Sequence, residues 1–370
     1  MRHFLIIGLI ACFTACGQKD NGIKPASTEF SYETITDELF IPWGFDFFAN
    51  GDIIVTEKTG EIYLITKAEN SLVELQGFPE VLVKGQGGLM DVKLHPDYPD
   101  TPWIYATHAQ ADPDDEDKGN TRLVRFQLNG NSITDYTVLY QGQNYSDKGQ
   151  HFGSRIEFDE EGYLYFSIGD RGYRDINPQD ITRDNGKIYR LNDDGSIPED
   201  NPFVGVDNAK EAIFSYGHRN PQGMEIHPET GKIWVHEHGP RGGDEINIVE
   251  KANNYGWPVI SYGINYSGTK FTDITEKEGM EQPFHYWVPS IAPSGMAFVR
   301  SDKYPTLNGH LLVGSLKFQY VEFLKIENNQ VVSREKLLEG VGRIRSIEQG
   351  PDGYIYVGVE GIGIIKLIEG

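Results

Sequence analysis

Seven short, mostly glycine-bearing segments interrupt a sequence that is otherwise rich in apolar, strand-like runs. They are Gly85-Gln86-Gly87-Gly88, Gln150-His151-Phe152-Gly153, Gly169-Asp170-Arg171-Gly172, Gly217-His218-Arg219-Asn220-Pro221, His238-Gly239-Pro240-Arg241, Ser315-Leu316-Lys317 and Arg343-Ile344-Arg345. An imidazole titrates near neutral pH and can take a proton. Guanidinium forks and ammonium heads bind carboxylates. Taken singly, each residue has a plainer reading: a loop Arg or Lys is a solvated charge, a lone His is structural, and a Gly-Asp pair is a turn. Only a fold that gathers these residues in one place makes them a site.

The elements that would gather them repeat along the chain. Each of six units has an apolar strand, a turn and a second strand rich in Ile, Tyr and Val. They start at Trp43, Leu89, Arg155, Gly223, Gly295 and Ile344, and the turns include Asn50-Gly51, Glu161-Gly162, Thr230-Gly231, Asn308-Gly309 and Asp352-Gly353. Asn-Gly and Asp-Gly between alternating strands are hairpin signals. Most units continue into a third strand, as at 60–65, 122–128, 187–191, 245–249, 320–326 and 363–368. Unit spacings of about 45 to 70 residues match one propeller blade with its loops. The expected fold is all-β: a six-bladed β-propeller of four-stranded antiparallel blades spanning 29–370. The strand-like stretch 29–36 is placed to pair with the last blade and close the ring, hiding two sheet edges.

Propeller topology then selects a face. Adjacent strands run antiparallel, so the start of strand one and the end of strand two lie on the same side of the disk, with strand one nearest the axis. The seven segments fall at those two positions. One mouth of the channel thereby gains His151, Asp170, Arg219, Lys317, Arg343 and Arg345. The whole chain carries 33 basic and 55 acidic residues, a net charge of −22. Cations concentrated at one mouth of so acidic a chain anticipate an anionic ligand. The same acidity argues against nucleic-acid binding.

The first residues form a separate unit. Arg2 and His3 precede an apolar run from Phe4 to Ala15 that ends at Cys16. This pattern is expected of an export signal over 1–15, with Cys16 as the lipidated residue of a bacterial lipoprotein box and 16–28 as a polar tether. Leu9-Ile10-Ala11-Cys12 is a competing box with a shorter apolar core. The expectation is an exported periplasmic or cell-surface lipoprotein that meets the membrane only through this anchor. Cys12 and Cys16 are the only cysteines. The folded body therefore has no disulfide, thiolate chemistry, Cys-rich zinc site or iron–sulfur cluster.

Four stretches carry a resemblance: 149–153, Tyr216-Gly217-His218-Arg219-Asn220-Pro221-Gln222-Gly223, Glu237-His238-Gly239-Pro240-Arg241-Gly242-Gly243-Asp244-Glu245 and Asn254-Tyr255-Gly256-Trp257-Pro258. Over nearly all of 43–367 the chain resembles the soluble pyrroloquinoline-quinone (PQQ) aldose sugar dehydrogenases, relatives of soluble glucose dehydrogenase. The resemblance implies oxidation of aldose sugars at C1 to lactones, with PQQ and Ca²⁺ as cofactors. It implies that His151 is the catalytic base, that Asp170 orients and polarises it, and that Arg219 lies beside the reactive quinone oxygen with Asn220 as a cofactor-binding neighbour. Gln86 would sit at a cofactor or substrate contact, and Lys317, Arg343 and Arg345 would clamp the cofactor carboxylates. Gly239 and Pro240 would give carbonyl ligands to the catalytic Ca²⁺. Glu245 and Tyr255 resemble a second, structural Ca²⁺ site.

The residue types agree: Arg suits carboxylates, Ca²⁺ prefers oxygen ligands, and a neutral His serves as a base near pH 7. The segment 268–287 and the loop 109–119 have no clear match in the better-known glucose enzyme, which leaves open the preferred sugar and whether the chain is a monomer or homodimer. Trp287 reads either as a sugar-stacking platform or as core. The electron acceptor is not named by the sequence. Two other readings of the same fold are a non-catalytic binding module and a Ca²⁺-dependent sugar lactonase. A lactonase would hold its metal mainly with axial Glu, Asn and Asp side chains, where this mouth carries cations.

Overall fold

A computed structural model describes residues 29–69 and 71–370. The signal, lipoprotein box and tether expected over 1–28 lie outside the described residues. The described residues form 24 strands in six four-stranded antiparallel sheets. Strand β1 (Phe30–Thr36) comes first. Blade one is β2 (Pro42–Phe47), β3 (Ile53–Glu57), β4 (Ile62–Thr66) and β5 (Ser71–Leu75). Blade two is β6 (Leu89–Leu94), β7 (Ile104–Asp112), β8 (Asp115–Asn129) and β9 (Ser132–Gln141). Blade three is β10 (Ile156–Phe158), β11 (Leu164–Ile168), β12 (Lys187–Leu191) and β13 (Ile213–Tyr216). Blade four is β14 (Pro221–Ile226), β15 (Ile233–Glu237), β16 (Asp244–Val249) and β17 (His285–Trp287). Blade five is β18 (Pro293–Phe298), β19 (Leu311–Ser315), β20 (Tyr320–Glu327) and β21 (Gln330–Leu337). Blade six is β22 (Ile344–Gln349), β23 (Ile355–Val359) and β24 (Gly363–Glu369), completed by β1, whose Phe30 pairs with Glu369 and Thr34 with Ile365. The ring is thus closed by β1, the last blade's outer strand, which covers what would be an open edge.

The first strands β2, β6, β10, β14, β18 and β22 contact one another around the axis. The core is divided between adjacent blades. Ile54, Val92 and Val124 pack between blades one and two. Ile156, Phe166 and Leu123 pack between two and three, and Tyr165, Val235 and Met224 between three and four. Trp234, Phe298 and Leu311 fill the next layer, Val299, Ile347 and Val357 the one after, and Phe45, Val55 and Ile364 close the circle. Each layer is built from β-branched and aromatic side chains that suit a pleated surface buried on both faces.

Five of the six inner hairpins carry a register shift at the start of strand one: at Pro42/Gly44, Leu89/Val92, Pro221/Gly223, Ser294/Met296 and Ile344/Ser346. A bulge re-aims the side chains beside it and stops regular pairing. All five lie at the end of the disk where the polar segments collect. The bulge in blade six leaves Arg345 without a cross-strand partner.

One expectation is corrected, and one open reading is decided. The stretch 109–119 is not a free loop: β7 and β8 continue their ladder through Gln110–Asn120 and Ala111–Gly119. The acidic run sits at the tip of this long hairpin, because Ala109 and Ala111 extend the strand while Asp112 to Asp115 make the turn. Trp287 is not a platform. It is 2% exposed, lies on β17 and donates its Nε1–H to Glu322 Oε2 at 2.8 Å.

Candidate active site

Blade three supplies the central pair. His151 precedes β10 and Asp170 follows β11, so the hairpin brings both to one mouth. Their loops press closely: a β-carbon at Gly169 would collide with the carbonyl of His151, so only glycine fits there. His151 itself has φ 57°, and Arg171 has φ 55°. Left-handed conformations at non-glycine residues persist where surrounding contacts over-determine them, and they cluster at functional sites. The contacts here are visible. His151 N–H donates to Gln86 Oε1 at 2.8 Å, and Arg171 lies over the Phe152 ring at 3.4 Å.

The His151 Nδ1 to Asp170 Oδ1 distance is 2.7 Å, and both groups are buried. Asp170 Oδ1 also accepts from Gly172 N–H at 2.7 Å, and Oδ2 accepts from Trp257 Nε1–H at 2.8 Å. The backbone is tied as well: Asp170 N–H donates to the Arg219 carbonyl at 2.8 Å, and Asn177 Nδ2–H to the Asp170 carbonyl at 2.9 Å. Burial, then the Arg219 charge, lowers the His151 pKa below 6.5, against the pull of Asp170. Burial opposes ionisation of Asp170, but His151, Arg219 and the Gly172 N–H outweigh it and hold the carboxyl below its usual range. The consistent state near pH 7 is an ionised Asp170 that accepts a hydrogen bond from Nδ1–H of a neutral His151. That leaves Nε2 as a free base.

Blade four supplies the neighbouring cation. Arg219 N–H donates to Glu237 Oε2 at 2.5 Å, and its Nη1–H donates to the His238 carbonyl at 2.8 Å. The guanidinium lies 5.3 Å from the Trp257 ring centre, and its Nε–H is buried without a partner among the described residues. Asn220 Oδ1 accepts from Gly153 N–H at 3.1 Å, joining blades three and four, while its Nδ2 has no partner among the described residues. His218 is structural. It is fully buried between Ser215 Oγ (2.9 Å) and Glu237 (3.0 Å) and stacks on Tyr255.

A cavity of about 330 Å³ opens over His151, Asp170, Arg219 and Trp257. It meets a second cavity of about 1170 Å³, with Pro240 and Tyr266 lining both. The larger one is lined by Gln86, Lys317, Arg343 and Arg345, and also by Lys58 and Arg241. The basic heads of the sequence reading therefore share one mouth with the imidazole. The other end of the channel is different: a cavity of about 640 Å³ holds Asp46, Glu157, Glu225 and Glu348 around Lys93 and Arg300.

The Gly239–Pro240 turn is held by Asp244, whose Oδ1 accepts from Gly239 N–H and whose Oδ2 accepts from Ser290, Ile291 and Ala292 at 2.7–2.8 Å. Neither the Gly239 nor the Pro240 carbonyl accepts a hydrogen bond among the described residues. Glu245 and Tyr255 are arranged otherwise. Burial and the charge of Glu237 raise the Glu245 pKa to about 8. The Tyr255 hydroxyl is spent on backbone, donating to the Ile248 carbonyl at 2.7 Å and accepting from Glu250 N–H at 2.9 Å. Among the described residues, no group of three or more His, Cys, Asp or Glu side chains gathers as a metal cage.

Residues 39–365 match the family model for glucose/sorbosone dehydrogenases. The chain belongs to that family. Within it, the chain is 38% identical to the aldose sugar dehydrogenase YliI of Escherichia coli over 362 residues, 96% of this chain and 95% of that one. It is 31% identical to the quinoprotein glucose dehydrogenase B of Acinetobacter calcoaceticus, covering 68% of this chain and 57% of the relative. The crystal structure of the apo-form of the soluble E. coli aldose sugar dehydrogenase superposes with a TM-score of 0.87 at 36% identity, covering 92% of this chain and all (100%) of that one. The PQQ-bound aldose sugar dehydrogenase of Streptomyces coelicolor, 24% identical, shares the fold with a TM-score of 0.76 over 93% of this chain and 99% of that one.

Four residues at this dehydrogenase-family mouth escaped the sequence reading. Lys58 and Glu360 each follow strand two of a blade, the position that selected Asp170 and Lys317, so the same rule finds them. Trp257 lay inside a noted motif, but only coordinates show its indole reaching Asp170. Tyr266, 75% exposed, had no signal and lies just ahead of the unmatched segment 268–287.

Proposed function

We propose that this chain oxidises aldose sugars at C1 to lactones, with PQQ and Ca²⁺ as cofactors. One observation carries the reading: a buried His–Asp pair with a free Nε2 faces a cavity walled by cations. The chain's own groups fit such a cofactor. Among the described residues, the buried Nε–H donors of Arg219 and Arg345 and the Asn220 Nδ2 have no acceptor. Lys317, Arg343 and Arg345 suit a tricarboxylate, and the free carbonyls of Gly239 and Pro240 suit a hard cation. When bound, PQQ with Ca²⁺ supplies a two-electron acceptor for the hydride leaving C1.

His151 Nε2 takes the proton of the C1 hydroxyl, and Asp170 stabilises the imidazolium that results. Arg219 places positive charge where oxyanion character develops. Trp257 walls the pocket and keeps the carboxylate aimed. As net chemistry, the aldose loses a hydride and a proton, and the C1 carbon becomes the lactone carbonyl. The sugar class, an electron acceptor of unassigned identity, and an exported lipoprotein anchored through Cys16 belong to the same proposal.

The test is reconstitution. Apoprotein with Ca²⁺ and PQQ is expected to reduce a redox dye on addition of aldoses and to form aldonolactone. A protein that binds the cofactor yet oxidises no aldose would point instead to a binding module.

A further inference from the structure

The larger cavity is lined by five cationic side chains, Lys58, Arg241, Lys317, Arg343 and Arg345, and by one carboxylate, Glu360. That carboxylate bridges two of the cations. Its Oε2 accepts from Arg343 Nε–H at 2.6 Å, and its Oε1 accepts from Arg345 Nη2–H. The bridge is supported from behind: Glu360 N–H donates to the Arg343 carbonyl at 2.9 Å, and Arg343 Nη1–H donates to the Leu316 carbonyl at 3.1 Å. Only 17% of the Glu360 side chain and 13% of the Arg345 side chain are exposed, so that bridge is poorly screened by solvent, while Arg343 is 46% exposed. Arg155 also stands close, donating to the Arg345 carbonyl at 2.7 Å, but its charge is matched by Asp91 at 3.0 Å. Without Glu360, two adjacent guanidiniums would share this wall with no counter-charge.

We propose that Glu360 is the resident counter-anion of the cofactor clamp: it occupies the Arg343 and Arg345 donors that a ligand carboxylate would take. An incoming tricarboxylate then has to displace or share this side chain. Glu360 thus stabilises the empty protein and lowers its affinity for the anionic cofactor, a trade set by one internal ion pair. The inference rests on the quinone reading of the cavity and goes beyond it by naming a group that weakens binding.

The test is an equilibrium titration of apoprotein with PQQ in the presence of Ca²⁺, followed by quenching of tryptophan fluorescence, alongside thermal unfolding of the apoprotein. Glu360→Gln is expected to bind PQQ about tenfold more tightly at low salt, with the gain shrinking as salt screens the site. Its apoprotein is expected to unfold at a lower temperature than wild type. These opposite signs separate the proposal from a merely structural role, which would lower affinity and stability together. Glu360→Asp, one methylene shorter, cannot span both guanidiniums, and its affinity is expected between the two. Should the Gln variant fail to fold, equal or weaker binding by the Asp variant overturns the proposal. Equal or weaker binding by a folded Gln variant does the same. Wild-type protein that takes up no PQQ refutes the cofactor reading itself, a different result from wild-type binding that the Gln variant fails to exceed.

Discussion

Asp170→Asn isolates the electrostatic part of the His151 assignment. The substitution keeps shape and size, so the packing around Trp257 and Gly172 survives. What changes is the proton. A carboxylate accepts from Nδ1–H, from Gly172 N–H and from Trp257 Nε1–H on its two oxygens. An amide has one oxygen, and its NH₂ must face either a donor or the imidazole. With its NH₂ at the Oδ2 position the amide meets Trp257 Nε1–H, and the imidazolium formed in turnover has no counter-charge; with its NH₂ at the Oδ1 position it meets Gly172 N–H and donates to Nδ1. In the second orientation the imidazole carries its proton on Nε2 and presents no base to the sugar, and in both the charge that supports the base is lost. General-base catalysis contributes about 10²–10⁴ in rate, which at about 1.4 kcal/mol per tenfold corresponds to about 3–5.5 kcal/mol. The expected kcat loss for Asp170→Asn lies in that range. Cofactor affinity should change little, because Asp170 sits behind His151 and outside the cation wall. The assay is dye-linked steady-state turnover of reconstituted protein, corrected for folded fraction by thermal melting, with a parallel PQQ titration. A kcat within threefold of wild type would refute the reasoning, since the carboxylate would then neither set the tautomer nor stabilise the imidazolium.

Turnover should also report the His151 titration: the lowered pKa means that kcat/KM holds level above pH 6.5 and falls only as more acidic solution protonates the imidazole. A rate that climbs on acidification would contradict a neutral base. Trp257→Phe keeps an aromatic wall but deletes one hydrogen bond to a buried carboxylate. It is expected to lower kcat about three- to tenfold with little change in KM, since that bond is worth about 1 kcal/mol; an effect confined to KM would make the indole a binding group only. Burial lowers His108 to about 4 and His236 to about 3. The unfolded chain takes protons near pH 6.5 while the fold resists, so stability declines as pH falls from 6.5 toward 4, by up to about 1.4 kcal/mol per pH unit for each histidine. Denaturant unfolding across that range checks the slope, and a flat or opposite slope would mean that these imidazoles are not held neutral.

The inner architecture was legible because hairpin chemistry is local. Turns such as Asn50-Gly51 and Asp352-Gly353 fix where strands reverse, and apolar runs such as Ile53–Val55 show a strand buried on both faces. The closing strand was legible for the same reason, expected over 29–36 and observed as Phe30–Thr36. The outer strands were less so. Strand β17 has three residues and β21 is mostly exposed, so neither carries a strong apolar pattern. The mouth followed from one topological rule, which placed His151, Asp170, Arg219 and the basic wall correctly on one face. It could not show what a side chain reaches across the fold. Trp257 meets Asp170 over 87 residues of sequence, and Trp287 turns inward to Glu322, because indole direction is set by tertiary packing. Likewise, the acidic run near 112–115 suggested a loop, although the ladder pairing of Ala109 and Ala111 carries the strands almost to its tip.

A crystal structure of the protein with PQQ and Ca²⁺ bound addresses the central claim most directly. The quinone is expected in the cationic mouth, its carboxylates among Lys317, Arg343 and Arg345, its reactive edge beside Arg219 and within reach of His151 Nε2, with Ca²⁺ against the Gly239 and Pro240 carbonyls. A quinone bound at the acidic end of the channel, or away from the imidazole, would contradict the account.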